Sequence, residues 1–185
     1  DLHQLDTGLA PRGLAGVRRA APERPGLHRP PALAHRPGPP ARRVALETAL
    51  TEGADALLLS GDVVHLDKAG PRAIVFLLEQ FRRLADHNIA VYWAGGQIDP
   101  VDAWPPTATL PANVHRFPSG RVGNFEHQRG DKTIARVQGI SRSPGQAVDD
   151  SGFHRDAKGL FTIGVAHGTS AAPGSEGDRV HYMAL

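Results

Sequence analysis

Apolar and polar positions change rhythm several times along this chain of 185 residues. Residues 56–60, Ala-Leu-Leu-Leu-Ser, form a continuous apolar run closed by Gly61-Asp62. Such a run predicts a strand buried on both faces, with a polar residue at its carboxyl tip. Pro71 suits a first helical turn. From there Ile74, Leu77, Leu78, Phe81, Leu84 and Ala85 recur at spacings of three and four, with Glu79, Arg82, Arg83 and Asp86 on the other side, which predicts an amphipathic helix. Residues 89–94 read as a second strand ending in the polar turn 95–100. Strand, helix and strand in this order predict a right-handed βαβ unit, whose ligands belong at the carboxyl ends of its strands.

Further along the pattern is weaker. Residues 44–50 resemble the end of a helix closed by Gly53. Residues 103–118 are rich in proline and turn formers, with a short connecting strand within 110–117. Two more strands are predicted over 133–140 and 160–166, the second followed by His167-Gly168, and a last one starts at Val180, its tip expected beyond Leu185. Phe76, Phe81, Trp93 and Phe161 occupy core-like positions and are expected only to pack. No internal repeat is visible.

Composition adds three constraints. With 40% hydrophobic and 22% charged residues the chain suits one ordinary globular domain, which excludes collagen, a coiled coil and a wholly disordered chain. The net charge of +2 is unevenly spread. Residues 11–43 hold eight arginines, one acid (Glu23) and eight of the 16 prolines, about +7, and the rest of the chain carries about −5. This segment is expected to be a disordered arm; a basic nucleic-acid tail lacks aromatic residues to stack on bases, and a local frameshift would give the same composition. There is no cysteine, so disulfides, thiolate metal sites and thiol nucleophiles are excluded, and a reducing, cytoplasmic setting is expected. No apolar run approaches a membrane span and the chain start is no signal peptide, so a soluble protein without membrane contact is expected.

Metal chemistry is left to His, Asp, Glu and amide ligands, and these fall at strand tips or the chain start in a telling order. They are Asp1 and His3 as Asp-x-His, Asp62 in Gly-Asp, Gln97 and Asp99 in Gly-Gln-Ile-Asp, and His167 in His-Gly. Carboxylate and imidazole donors suit Mn, Fe or Zn, and a shared carboxylate can bridge two ions for phosphoryl transfer.

In these motifs the chain resembles the calcineurin-like metallophosphoesterases, in particular the bacterial DNA-repair exonuclease branch akin to the nuclease subunit of the SbcCD complex. That family's motifs run Asp-x-His, Gly-Asp, Gly-Asn-His-Asp, a lone His after a strand, and Gly-His-x-His. The likeness is good over residues 44–185, thin over 1–10 and absent over 11–43. It implies an α/β fold, a four-layer αββα sandwich truncated at its carboxyl end, with a first-motif segment at 1–10 and the phosphoesterase domain at 44–185. It implies two divalent ions, Mn in the first place, with Fe or Zn as alternatives. Asp1 and His3 would hold the first ion, Asp62 would bridge both, and Gln97 and His167 would serve the second. Asp99 would orient the turn. The family's leaving-group histidine is replaced by Ile98, and His65, three residues beyond Asp62, is a candidate compensating ligand or proton donor. The resemblance implies hydrolysis of DNA or another phosphodiester, an ATPase partner subunit and a homodimer.

Two rival readings start from the same residues. Gln97 and Ile98 fit a catalytically degenerate domain kept for binding a partner. Gly95-Gly96 fits a doubly wound nucleotide-binding module cradling phosphate, although no amphipathic helix follows it.

Overall fold

A computed structural model of the chain describes residues 14–17, 41–143, 149, 151–168 and 180–185, of which 14–17 and 41–43 by backbone only. The first sheet contains β1 (Leu14–Val17), β2 (Ala56–Ser60), β3 (Ala90–Ala94) and β4 (Val114–Arg116), side by side in that order. β2, β3 and β4 run parallel, and β1 joins the edge antiparallel with Leu14 opposite Leu59. β1 falls inside the 11–43 segment expected to be disordered; the remainder of that segment lies outside the described residues.

α1 (Ala41–Thr51) precedes β2, and α2 (Pro71–Asp86) crosses from β2 to β3, completing the predicted βαβ unit. Pro71 opens α2, as its fixed φ allows, and Arg83 lies in the last turn where the dipole favours a cation. Asn88 ends the helix in a left-handed conformation (φ 56°) that asparagine tolerates well, and Ile89 N–H then donates to the Leu84 carbonyl at 2.9 Å. The helices cover one face of the sheet: Leu46, Ala49, Leu77, Phe81 and Leu84 pack on Leu57, Leu59, Val91 and Trp93. Each of the Leu, Val and Phe side chains among these, when fully buried, contributes about 1.5–3 kcal/mol.

The other face of the sheet meets a second one. It consists of β5 (Gly123–Arg129), β6 (Lys132–Gly139), β7 (Phe161–Val165) and β8 (Tyr182–Ala184) in that order, parallel except for the β5–β6 hairpin. Leu58, Tyr92, Ala94 and Phe117 pack there against Ala135, Val137, Ile163 and Val165. Burial of both faces explains why β2 reads as an unbroken apolar run rather than an alternation.

The layers present are thus helices, sheet and sheet, an α/β sandwich. Among the described residues no fourth, helical layer covers the second sheet. A loop takes that place: Gln138 Oε1 accepts the His154 N–H at 3.0 Å, Arg136 pairs with the buried Asp156 at 2.7 Å, and Phe153 packs with Ile140 and Ala166. Phe161 also departs from its predicted core role. It is 47% exposed at the start of β7, with its ring stacked on His181.

Candidate metal centre

β2, β3, β6 and β7 deliver their carboxyl ends to one edge of the sandwich, where Asp62, the 95–99 turn, Ser141 and His167 come together. Gly61 makes the approach possible. Its φ is 84°, and a Cβ there would lie 2.7 Å from Gly96 Cα and from His167 Cβ, too close for any side chain. Asp62 follows with φ 54°, a left-handed conformation that aspartate tolerates better than most side chains and that its surroundings hold here.

The surroundings do so through both ends of the residue. Asp62 Oδ1 accepts the N–H of Gln97 at 2.8 Å and of Ile98 at 3.1 Å. Its Oδ2 faces His167 Nε2 at 3.3 Å. His167 Nδ1 lies 2.8 Å from the Ser60 carbonyl, which can only accept, so Nδ1 carries a proton. In the neutral ring this leaves the Nε2 lone pair directed at the side of Asp62, the arrangement in which a second partner fixes the tautomer of a metal-binding histidine.

Asp99 is fully buried beneath this pair. Oδ1 accepts the N–H of Asp62 (2.9 Å) and Gly96 (2.7 Å); Oδ2 accepts the N–H of Val63 (2.9 Å) and the Trp93 indole (3.2 Å). Burial pushes its carboxyl pKa up, against these donors, which favour the charged form. Gly96 must be glycine because a Cβ would run into Asp62 N and Oδ1.

Gly95 and Gly96 are fully used by these contacts. Gly95 N–H donates to Ser141 Oγ at 2.8 Å and Gly96 N–H to Asp99, so neither is available to cradle a phosphate. The nucleotide-binding alternative is overturned by that geometry.

Of the sequence-predicted ligands, Asp62 and His167 meet. Gln97 is joined to them through its backbone N–H, with an exposed side chain, and Asp99 orients the turn as expected. His65 Nδ1 is buried without a hydrogen-bond partner among the described residues, and Leu66 N–H donates to the Ile98 carbonyl at 3.0 Å, tying that loop to the third motif. Asp1 and His3 lie outside the described residues. A carboxylate oxygen facing an imidazole whose other nitrogen is anchored fits a divalent cation, as two of its ligands. Among the described residues no group of three His, Asp or Glu side chains completes a shell.

Two residues of the site escaped the sequence reading. Ser141 donates to the Phe117 carbonyl at 2.6 Å while accepting from Gly95, and so joins the two sheets at this edge. Its signal was its position, a polar residue just past the apolar end of a predicted strand. Trp93, expected only to pack, also donates to Asp99.

The chain is similar to the uncharacterized metallophosphoesterase YhaO of Bacillus subtilis (strain 168), 31% identical over 138 residues. The match covers 73% of this chain and 33% of the relative, so the chain spans about a third of the length of the protein it resembles. No family model matches. No solved structure matches either. The likeness to YhaO supports the metallophosphoesterase family.

Proposed function

We infer that this chain is a metallophosphoesterase domain that hydrolyses phosphodiesters, with DNA as the substrate class and an exonuclease-like activity. The single observation carrying the reading is the meeting of Asp62 and His167 across two sheets, 3.3 Å apart, at the carboxyl ends of β2 and β7. Two divalent ions, Mn in the first place, would be held by Asp1, His3, Asp62, Gln97 and His167. Such ions supply Lewis acidity at the phosphoryl oxygens and a lowered pKa of bound water.

The chain's own residues have separable tasks. Asp62 presents Oδ2, its other oxygen being occupied by two backbone N–H groups. His167 is oriented by the Ser60 carbonyl. Asp99 fixes the two turns relative to each other, and His65 is the candidate proton donor to the leaving group in place of Ile98. An ATPase subunit and a second copy of the chain are the proposed partners, and the cytoplasm the proposed setting. No helix among the described residues is long and apolar enough to cross a membrane.

The test is Mn²⁺-dependent hydrolysis of bis(p-nitrophenyl) phosphate by the chain and its Asp62→Ala variant. Turnover that drops about a hundredfold or more in the variant supports the reading, since loss of a metal-held charge costs several kcal/mol of transition-state stabilisation. Equal turnover in both overturns it.

Ile98 favours a second reading, a catalytically degenerate domain kept for binding. An aliphatic side chain can neither stabilise nor protonate a leaving oxygen. Metal binding without turnover in the same assay would select this reading.

A further inference from the structure

Arg116, at the end of β4, lies partly buried beside two indoles. Its guanidinium carbon sits 4.5 Å from the centre of the Trp93 ring and 5.8 Å from that of Trp104. The two indoles meet edge to face at 5.4 Å. One nitrogen, Nη1, donates to the Val101 carbonyl at 3.1 Å, while Nε and Nη2 are buried with no hydrogen-bond partner among the described residues. Leaving two donor nitrogens of a cation, with three N–H groups, unmade in a protein interior is costly, so packing alone does not account for arginine at this position.

The chain of contacts leads from Arg116 to the candidate metal centre. The guanidinium covers the face of Trp93; the Trp93 indole N–H donates to Asp99 Oδ2; and Asp99 accepts the backbone N–H groups of Asp62, Val63 and Gly96. A cation over an indole is held by the ring's quadrupole and favours one ring orientation. The negative charges of Asp99 and Asp102 act on the same guanidinium.

We propose that Arg116 is a positioning residue: stacked on Trp93, it holds the indole N–H on Asp99 and thereby fixes the backbone that presents Asp62. It makes no hydrogen bond or ion pair with Asp62 or His167 and is not a catalytic residue. The proposal concerns the backbone around Asp62, and only its consequence for metal rests on the phosphoesterase reading.

The test compares the wild-type chain with Arg116→Met, Arg116→Lys and Trp93→Phe by amide hydrogen exchange and by Mn²⁺ titration. Without metal, exchange at Asp62, Val63 and Gly96 is expected to quicken about tenfold in Arg116→Met and Trp93→Phe, as loss of a cation–π contact of ordinary strength implies, and to return most of the way in Arg116→Lys. Rates at the β6 and β7 amides are expected to stay unchanged. Unchanged rates at the three amides, or a uniform rise through both sheets, would overturn the proposal. Mn²⁺ affinity is expected to weaken about three- to tenfold in Arg116→Met and to recover with lysine. Local quickening in a chain that binds no Mn²⁺ would uphold the positioning role and sink the metal reading; Mn²⁺ binding with unchanged exchange would do the reverse. If Arg116→Met does not fold, Arg116→Gln, which also removes the charge, carries the same comparison with Arg116→Lys.

Discussion

Asp62 and Asp99 hold each other's turns in place without touching side chain to side chain. Asp99 Oδ1 accepts the backbone N–H of Asp62 at 2.9 Å, and Asp62 Oδ1 accepts the N–H of Gln97 and Ile98 in the turn that carries Asp99. Each carboxylate therefore stabilises the loop that delivers the other. The consequence is a rigid mount for Asp62 Oδ2.

Replacing Asp99 with asparagine tests that mount. An amide nitrogen cannot accept, so at least one pair of the four N–H donors facing Asp99 would be left unmade in the interior. Asp99→Asn is expected to lose about 2–4 kcal/mol of stability in urea unfolding. A loss below about 1 kcal/mol would show that the donors find other partners.

Gly96→Ala attacks the same junction sterically. The added methyl would collide with Asp62 N and Oδ1, and backbone cannot yield as a flexible side chain can. A destabilisation of about 1–3 kcal/mol is expected, together with weaker Mn²⁺ binding. Gly53→Ala gives a comparison for backbone strain alone, since Gly53 (φ 58°) has open space around its Cβ position. It is expected to leave Mn²⁺ affinity unchanged.

Much of this arrangement was legible in the sequence, because strand tips and glycines carry strong local signals. The runs before Asp62, Gln97 and His167 each end where the structure turns, and α2 follows its periodicity closely. Three parts were not legible. β5 fills its inward positions with Phe125 and His127 between exposed Asn124, Glu126 and Gln128, so it lacks an apolar run. β1 owes its strand conformation to pairing with β2, a long-range contact that no local pattern announces. The Trp93–Asp99 hydrogen bond depends on side-chain direction inside a core, where an indole reads only as bulk.

The interior between the sheets gives the chain a pH dependence of its own. His127 hydrogen-bonds the Tyr92 hydroxyl at 3.0 Å, and His115 stacks on Tyr92 with ring centres 5.1 Å apart. Burial pushes both histidines below their ordinary value; around His127, Asp55 opposes the shift while Arg129 and His115 add to it. Burial pushes the Tyr92 phenol up to about 12, so it keeps its proton throughout. Because the folded pKa values are depressed, the unfolded chain binds protons more readily. The histidines' contribution is complete above the ordinary pKa of about 6.5 and is lost as pH falls through the folded values. Urea midpoints are therefore expected to drop between pH 7 and 5.5, and to drop less in His115→Phe/His127→Gln. An unchanged slope would contradict the assignment.

Restoring the third motif should separate the two functional readings. Gln97→Asn shortens the amide by one methylene, and Ile98→His provides a group able to protonate a leaving oxygen. General acid catalysis of this kind is worth about 10²–10⁴-fold on an alkoxide leaving group, so an oligodeoxynucleotide reads it: turnover gained from none by the double variant selects the degenerate reading, whereas with His65 as the donor wild-type turnover is expected to change less than about tenfold. No gain, with Mn²⁺ bound as tightly as before, would mean that His65 already fills the role or that substrate does not reach the site. His65→Ala in the wild-type background distinguishes these, abolishing turnover in the first case only.

The most direct measurement is calorimetric titration of Mn²⁺ into the wild-type chain, Asp62→Ala, His167→Ala and, as a control, His87→Ala, whose exposed imidazole ends α2. Binding that falls at least tenfold in the Asp62 and His167 variants and is unchanged in the His87 variant is the expected result, because the pair facing each other at 3.3 Å would then share the ion. Binding that is absent from the wild type, or equally strong in all four proteins, would contradict a metal centre at this edge of the sandwich.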